Sequence, residues 1–295
     1  MARKTTQAMF GESSQSGLTP RRPFLGLDLP EELHPSLINR ILQLRLAGRD
    51  LSHTREANLK AIEQLMAGHH FYTLNLTVVE KLLSQGSLDS LEVLAQVASR
   101  TGCSRDPAIT RGPNYINPRA CLYGLWEAAQ MLHHIRDIQG TVVFGSGHPG
   151  TMLGAYNRLA DYLRSYGCST PTAGAGAEVE QDWYLDFIGA VACVSDTCNV
   201  HHTHMTRAME IFLEQLESPP DLAIADHGFA AACINRDIPC ITAMDTNDPA
   251  LAVAAEAGAE FILVPMNDNM PNQQMNGLAD LYISLITLVD AQKTY

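Results

Sequence analysis

The sequence predicts an α/β protein: a mainly parallel, three-layer sheet domain at residues 139–295, preceded by a helical region at 24–138. Three observations predict it. From Thr141 onward, short apolar runs alternate with helical segments, the grammar of a parallel sheet covered on both faces. Before about residue 140, apolar residues recur at helical spacing and no strand is expected. Finally, four polar clusters in the second half each close an apolar run, as ligand-binding residues do at the carboxyl rim of such a sheet.

Each element has its own signal. Residues 1–23, rich in Ser, Thr, Gln and Gly, read as a mobile tail. Leu37, Ile38, Ile41, Leu42, Leu44 and Leu46 mark one helix. Leu59, Ile62, Leu65 and Met66 mark a second, with Ser52 or Thr54 as its cap. Leu76 to Leu83, Leu88 to Val97 and Leu122 to Ile135 give three more, with a turn-rich connector from Arg111 to Pro118. Thr141 to Phe144 then reads as a buried strand, followed by a helix from Thr151 to Tyr166 that Gly167 ends. Trp183 to Ile188, Ala190 to Val194, Leu222 to Ala225, Cys240 to Ala243 and Phe261 to Val264 complete the strands. Helices are expected over Arg207 to Leu216, Phe229 to Asn235, Pro249 to Ala257 and Leu278 to Leu288, with Asp248 capping the third of these.

Composition narrows the function. The 295 residues are 46% hydrophobic and 18% charged, as in a folded globular chain. A net charge of −12 without Lys/Arg runs disfavours nucleic acid and anionic membrane as partners. No signal-peptide core or membrane span is expected. Seven cysteines without paired C-x-x-C spacing suit reduced thiols in the cytoplasm.

The clusters carry the chemistry. In Gly145-Ser146-Gly147-His148-Pro149-Gly150-Thr151, small residues and a helix start suit a phosphate, with Ser146, Gly147, Gly150 and Thr151 as its contacts. The segment lacks the Gly-Lys-Ser/Thr of a P-loop. In the extended run His201-His202-Thr203-His204, His202 and His204 share a face roughly 6–7 Å apart and can converge on one ion. Arg207 follows and is expected to grip phosphate. Asp226-His227-Gly228 and Asp245-Thr246-Asn247-Asp248 bring oxygen donors for Mg²⁺ or Mn²⁺ and, with histidine, for Zn²⁺. Asp268 reads as a turn residue, and His69-His70 and His133-His134 as packing.

From about residue 45 onward the chain resembles a family of actinobacterial phosphatases. The resemblance rests on Ala47-Gly48, Thr54-Arg55-Glu56-Ala57-Asn58-Leu59, Gly147-His148-Pro149, His202-Thr203-His204 with Met209, Leu222 to Gly228, and Asn247-Asp248-Pro249-Ala250-Leu251. That family tends to carry Asn at the place of Ala57 and acidic residues at those of Asn114 and Asn117. The resemblance implies phosphomonoester hydrolysis. It also draws notice to Arg55-Glu56, which would bring the helical region to the site or else form a surface ion pair.

The expected activity is therefore metal-assisted hydrolysis of a small phosphomonoester. His148, His202, His204 and Asp226 are the expected catalytic residues; Ser146, Gly147, Gly150, Thr151, Arg207 and Asn247 contact the phosphate. His204, Asp226, His227 and Asp245 hold a divalent Mg, Mn or Zn ion. A phosphohistidine at His148 is the covalent variant. Phosphosugar isomerisation, metal-dependent hydrolysis of a non-phosphate substrate, and non-catalytic phosphate or metal binding are the alternatives, and a homo-oligomer is left open.

Overall fold

A computed structural model of the protein describes residues 25–293, so the expected tail at 1–23 lies outside the described residues. A short 3-10 turn, Glu31–Leu33, leads into α1 (His34–Gln43), β1 (Gly48–Thr54), α2 (Arg55–Met66), α3 (His70–Thr73), α4 (Thr77–Ser84), α5 (Ser90–Thr101), β2 (Pro113–Ile116) and α6 (Pro118–Asp137). Then follow β3 (Val142–Gly145), α7 (Pro149–Ser165), β4 (Glu178–Glu180), β5 (Trp183–Ile188), β6 (Val191–Ser195), β7 (Val200–His201) and α8 (Arg207–Glu214). The chain closes with β8 (Leu222–Ala225), α9 (His227–Ile234), β9 (Cys240–Met244), α10 (Pro249–Glu256), β10 (Ile262–Pro265) and α11 (Asn272–Lys293).

The main sheet has eight strands in the order β10-β9-β8-β3-β6-β5-β4, with β7 on β6. β10, β9, β8, β3 and β6 are parallel. β5, β4 and β7 add antiparallel pairs at one end. The parallel strands are fully or almost fully buried, because helices cover both faces. Alternate residues divide between two apolar layers, as a two-residue period requires. Leu222 and Ile224 of β8 face a layer shared with α6, α7 and α11, while Ala223 and Ala225 face one shared with α5, α8, α9 and α10. The buried apolar residues of α1 and α6 belong to the first layer, and most of those of α2, α4 and α5 to the second. The architecture is thus α/β in three layers, with a mixed but largely parallel sheet.

The connections place the site. From β3 the chain passes to β6 on one side, then crosses back to β8 on the other. Loops at the carboxyl ends of β3 and β8 therefore diverge and leave a crevice between them. The first of these loops carries His148, and the second carries Asp226 and His227.

One expectation for the first half fails. β1 and β2 pair antiparallel, Gly48 with Ile116 and Thr54 with Pro113, before residue 140. Gly48–Thr54 reads GRDLSHT, with no regular apolar alternation, and its partner lies about sixty residues on within the expected connector, so no local pattern marks either strand. The cap of α2 is Thr54, whose Oγ1 accepts from the Ala57 N–H at 3.3 Å. All seven cysteines are unpaired, and only Cys198 is exposed. No helix among the described residues is long and apolar enough to cross a membrane.

Candidate active site

A cleft of about 230 Å³ opens at the crevice, lined by His53, Phe71, His148, His202, His204, His227, Asp245, Asn247, Asp248, Asp268 and Asn269. A wider groove of about 380 Å³ near Tyr184, Asp186 and Ser195 holds no histidine and a single carboxylate, so the chemistry collects in the smaller cleft.

Four of these five imidazoles pack on one another. His148 stacks on His202 with ring centroids 4.3 Å apart, and His227 stands edge-on to His148 at 5.1 Å. His204 lies 4.4 Å from the His227 ring and stacks on Phe71 at 3.5 Å. Hydrogen bonds assign the ring nitrogens. His204 Nδ1 donates to the Phe71 carbonyl at 2.6 Å, so its Nε2 carries the lone pair, to which His202 Nε2 donates at 3.1 Å. His227 Nδ1 donates to Asp226 Oδ1 at 2.9 Å, which turns Nε2 toward Asp248 Oδ1 at 3.9 Å and Asp268 Oδ2 at 3.8 Å. His148 Nδ1 lies 3.8 Å from the same Asp268 oxygen.

Glycines allow this density. A Cβ on Gly147 would strike the Thr203 carbonyl and the His227 Cβ, and one on Gly228 would strike the His204 and Met205 carbonyls, all far inside van der Waals contact. The His202–Met205 segment therefore crosses directly over both loops, held by Thr203 N–H donating to the Gly147 carbonyl at 2.8 Å. His227 itself adopts φ 50°, left-handed backbone that costs a histidine on the order of 1 kcal/mol. That conformation persists because Asp226 and the crossing segment hold the ring.

The electrostatics follow from burial and crowding. Burial, together with the neighbouring His148 and His227, pushes His202 down to about 4. Burial and its imidazole neighbours hold His204 well below its ordinary value. Both rings are thus neutral at pH 7; the lone pair of His204 is taken by His202, whose own remains on Nδ1. Burial opposes charge on His227 too, but the Asp226 hydrogen bond and the charges of Asp248 and Asp268 prevail and raise it to about 10. Burial and the repulsion of Asp245 lift Asp248 to about 7. Burial also works against Asp268, but His148 and His227 hold it at about 2. Burial opposes charge on half-buried His53 as well, but its bond to Asp245 prevails and raises it to about 9.

Two sets of donor atoms lie within 4.8 Å of one another: His148, His202 and His227, and His227, Asp248 and Asp268. His148 Nδ1, Asp226 Oδ2 and Asp268 Oδ2 are buried without a hydrogen-bond partner. Unpartnered buried donors beside crowded carboxylates fit a divalent cation, which would relieve both costs.

The structure brings most of the expected residues together. His148, His202, His204, His227, Asp245 and Asn247 line the cleft, and Asp226 lies directly behind His148 and His227, accepting also from the His148 N–H at 3.0 Å. Of the expected metal set, only His227 belongs to the mutually close donors. Asp245 instead uses one oxygen on His53 Nδ1 and the other on the Asn247 N–H. Ser146 Oγ accepts from the His148 N–H at 3.0 Å, and Thr151 Oγ1 donates to the His148 carbonyl at 3.0 Å, so both hold the loop in place. Gly150 is exposed. Arg207, expected on the phosphate, is half exposed and faces Glu210 at 3.6 Å and Glu214 at 3.5 Å, because the first turn of α8 directs it outward.

Other residues have a larger part than expected. Asp248 occupies the N-cap position of α10 but makes no side-chain cap; its carboxylate turns into the cleft and accepts from the Asp245 N–H at 3.2 Å. Asp268, read as a turn residue, is buried between His148 and His227. His53 and Phe71 come from β1 and α3, where no sequence signal set them apart.

Arg55 is no surface ion pair. It is buried and donates to Ile109 O and Asp106 O at 2.9 Å each and to Asn58 Oδ1 at 2.7 Å. Asn58 then donates to Thr246 O at 2.5 Å, and Asn114 to Thr246 Oγ1 at 2.7 Å. This chain ties the first half to the loop bearing Asp245 and Asp248. Arg55→Ala is expected to cost about 3 kcal/mol, from a cavity plus orphaned carbonyls, read as a fall in the urea midpoint.

The family model described as Phosphatase matches residues 33–289 of this chain. The chain is also 30% identical over 238 residues to Phosphatase SCO2771 of Streptomyces coelicolor, covering 79% of this chain and 88% of that protein. The family match runs from just before α1 nearly to the end of α11, and so takes in every residue of the cleft. The chain belongs to this phosphatase family.

Proposed function

We propose that the protein is a metal-assisted phosphatase acting on a small phosphomonoester. The observation that carries this reading is the convergence of His148, His202, His227, Asp248 and Asp268 at the switch point of the sheet, with three buried polar atoms unpartnered. His148, His202 and His227 at one end and Asp248 and Asp268 at the other would hold the ion. When bound, such an ion polarises a phosphoryl oxygen and lowers the pKa of water to about 7.

The chain's own residues do the rest. No Lys or Arg stands among the described residues lining the cleft, so imidazoles supply what positive charge the protein itself offers a phosphate. Asp226 fixes the tautomer and orientation of His227 while its bond to the His148 N–H sets the loop after β3. Neutral His204, locked on Phe71 O, orients His202. The cleft of about 230 Å³ admits a phosphate with a small alcohol portion, which favours small esters.

The test is phosphate release from a panel of small phosphomonoesters with Mg²⁺, Mn²⁺ or Zn²⁺, alongside metal analysis of the purified protein. Release that disappears on chelation and returns with one of these ions is expected. No release from any ester–metal pair would defeat the reading. Asp226→Asn keeps the shape but loses the carboxylate; a fall of about 10–100-fold in metal affinity or activity is expected, measured by metal titration and phosphate release.

A further inference from the structure

We propose that His53, on β1, is the proton donor to the leaving-group oxygen, held in place by Asp245. This rests on the phosphatase reading above and assigns it a catalytic residue from the first half of the chain.

The geometry points to this role in three ways. His53 lines the cleft but belongs to neither set of close metal donors. Its Nδ1 is paired with Asp245 Oδ2, which leaves Nε2 as the free ring nitrogen. Asp245 is itself buried, and its Oδ1 accepts from the Asn247 N–H at 2.5 Å, so both its oxygens are engaged and the His53–Asp245 pair is fixed. A buried carboxylate bonded to one nitrogen sets the tautomer and aim of the other. The His53 side chain remains about one-quarter exposed, unlike buried His204 and His227, so it can exchange protons with water.

Asp245 is also held from the far side. Thr246, next in sequence, is gripped through its carbonyl by Asn58 and through its hydroxyl by Asn114. Asn58 belongs to α2, which begins at Arg55, two residues after His53. The β1–α2 corner therefore fixes the imidazole and its carboxylate partner together.

The step balances simply. Water forms the new P–O bond as the P–O bond to the leaving alcohol breaks. That bond's electron pair stays on the leaving oxygen, which takes the Nε2 proton of His53. A proton lost from the attacking water returns through solvent to the imidazole, so no other reactant is needed.

A proton donor matters most when the leaving group is a poor one. The test compares p-nitrophenyl phosphate, whose phenolate leaves readily, with glycerol phosphate, whose alkoxide does not, using wild type, His53→Gln and Asp245→Asn with the activating metal ion. His53→Gln is expected to lose about 10²-fold or more in kcat/KM on glycerol phosphate and less than about tenfold on the aryl ester, with bound metal unchanged. Asp245→Asn, a positioning change, is expected to show the same split in weaker form. Equal losses on both esters, or loss of bound metal in His53→Gln, would overturn the assignment while leaving the phosphatase reading intact. If His53→Gln fails to fold, as read by circular dichroism, the split in Asp245→Asn decides. A wild type inactive on these two esters and on every other ester of the panel, with every ion, would remove the phosphatase reading and this assignment with it.

Discussion

Replacing His227 by alanine is expected to lower phosphate release by roughly 10³-fold or more and to weaken metal binding. His227 is the one member common to both sets of close donors. Its Nε2 faces Asp248 and Asp268 while its Nδ1 is bonded to Asp226. Without the ring, three carboxylates lose the imidazole that stands among them, and Asp226 has nothing left to orient there. Phosphate release and bound metal should therefore fall together, while circular dichroism remains near that of the wild type. Activity kept within tenfold, with metal content unchanged, would place the ion elsewhere.

The second large effect is structural. Gly228→Ala is expected to destabilise the protein by about 3 kcal/mol and to disperse the histidines. The added methyl would meet two backbone carbonyls, those of His204 and Met205, rather than a side chain that can swing aside. Those carbonyls belong to a segment pinned by Thr203 N–H on the Gly147 carbonyl and by His204 on Phe71. Relief requires lifting that segment, which carries His202 and His204 away from His148 and His227. The urea midpoint and phosphate release should drop together. A variant with unchanged midpoint would show that the crossing is looser than the structure depicts.

The close approach at Gly147 gives the run from Gly145 to Gly150 a second reading. Small residues there suggested a phosphate cradle, but Gly147 is small because Thr203 and His227 press on it. The same composition serves chain crossing, and sequence alone does not separate the two uses. Arg207 shows the converse. Its nearness to the His cluster along the chain suggests a phosphate contact, yet it opens α8 half exposed and meets Glu210 and Glu214 instead.

What the sequence by itself determined was the parallel core and its rim. β3, β6, β8, β9 and β10 are buried on both faces, so each is a near-continuous apolar run, readable without a partner. Their polar ends had to carry His148, Asp226, His227 and Asp245. What only the tertiary structure decided were the residues whose place depends on distant partners. β1 is polar and exists through β2; His53 reaches the cleft because Asn58 and Asn114 hold Thr246; Asp268 is buried because two imidazoles flank it. Burial of apolar side chains leaves a local period in the sequence, whereas a hydrogen bond between residues well over a hundred positions apart leaves none.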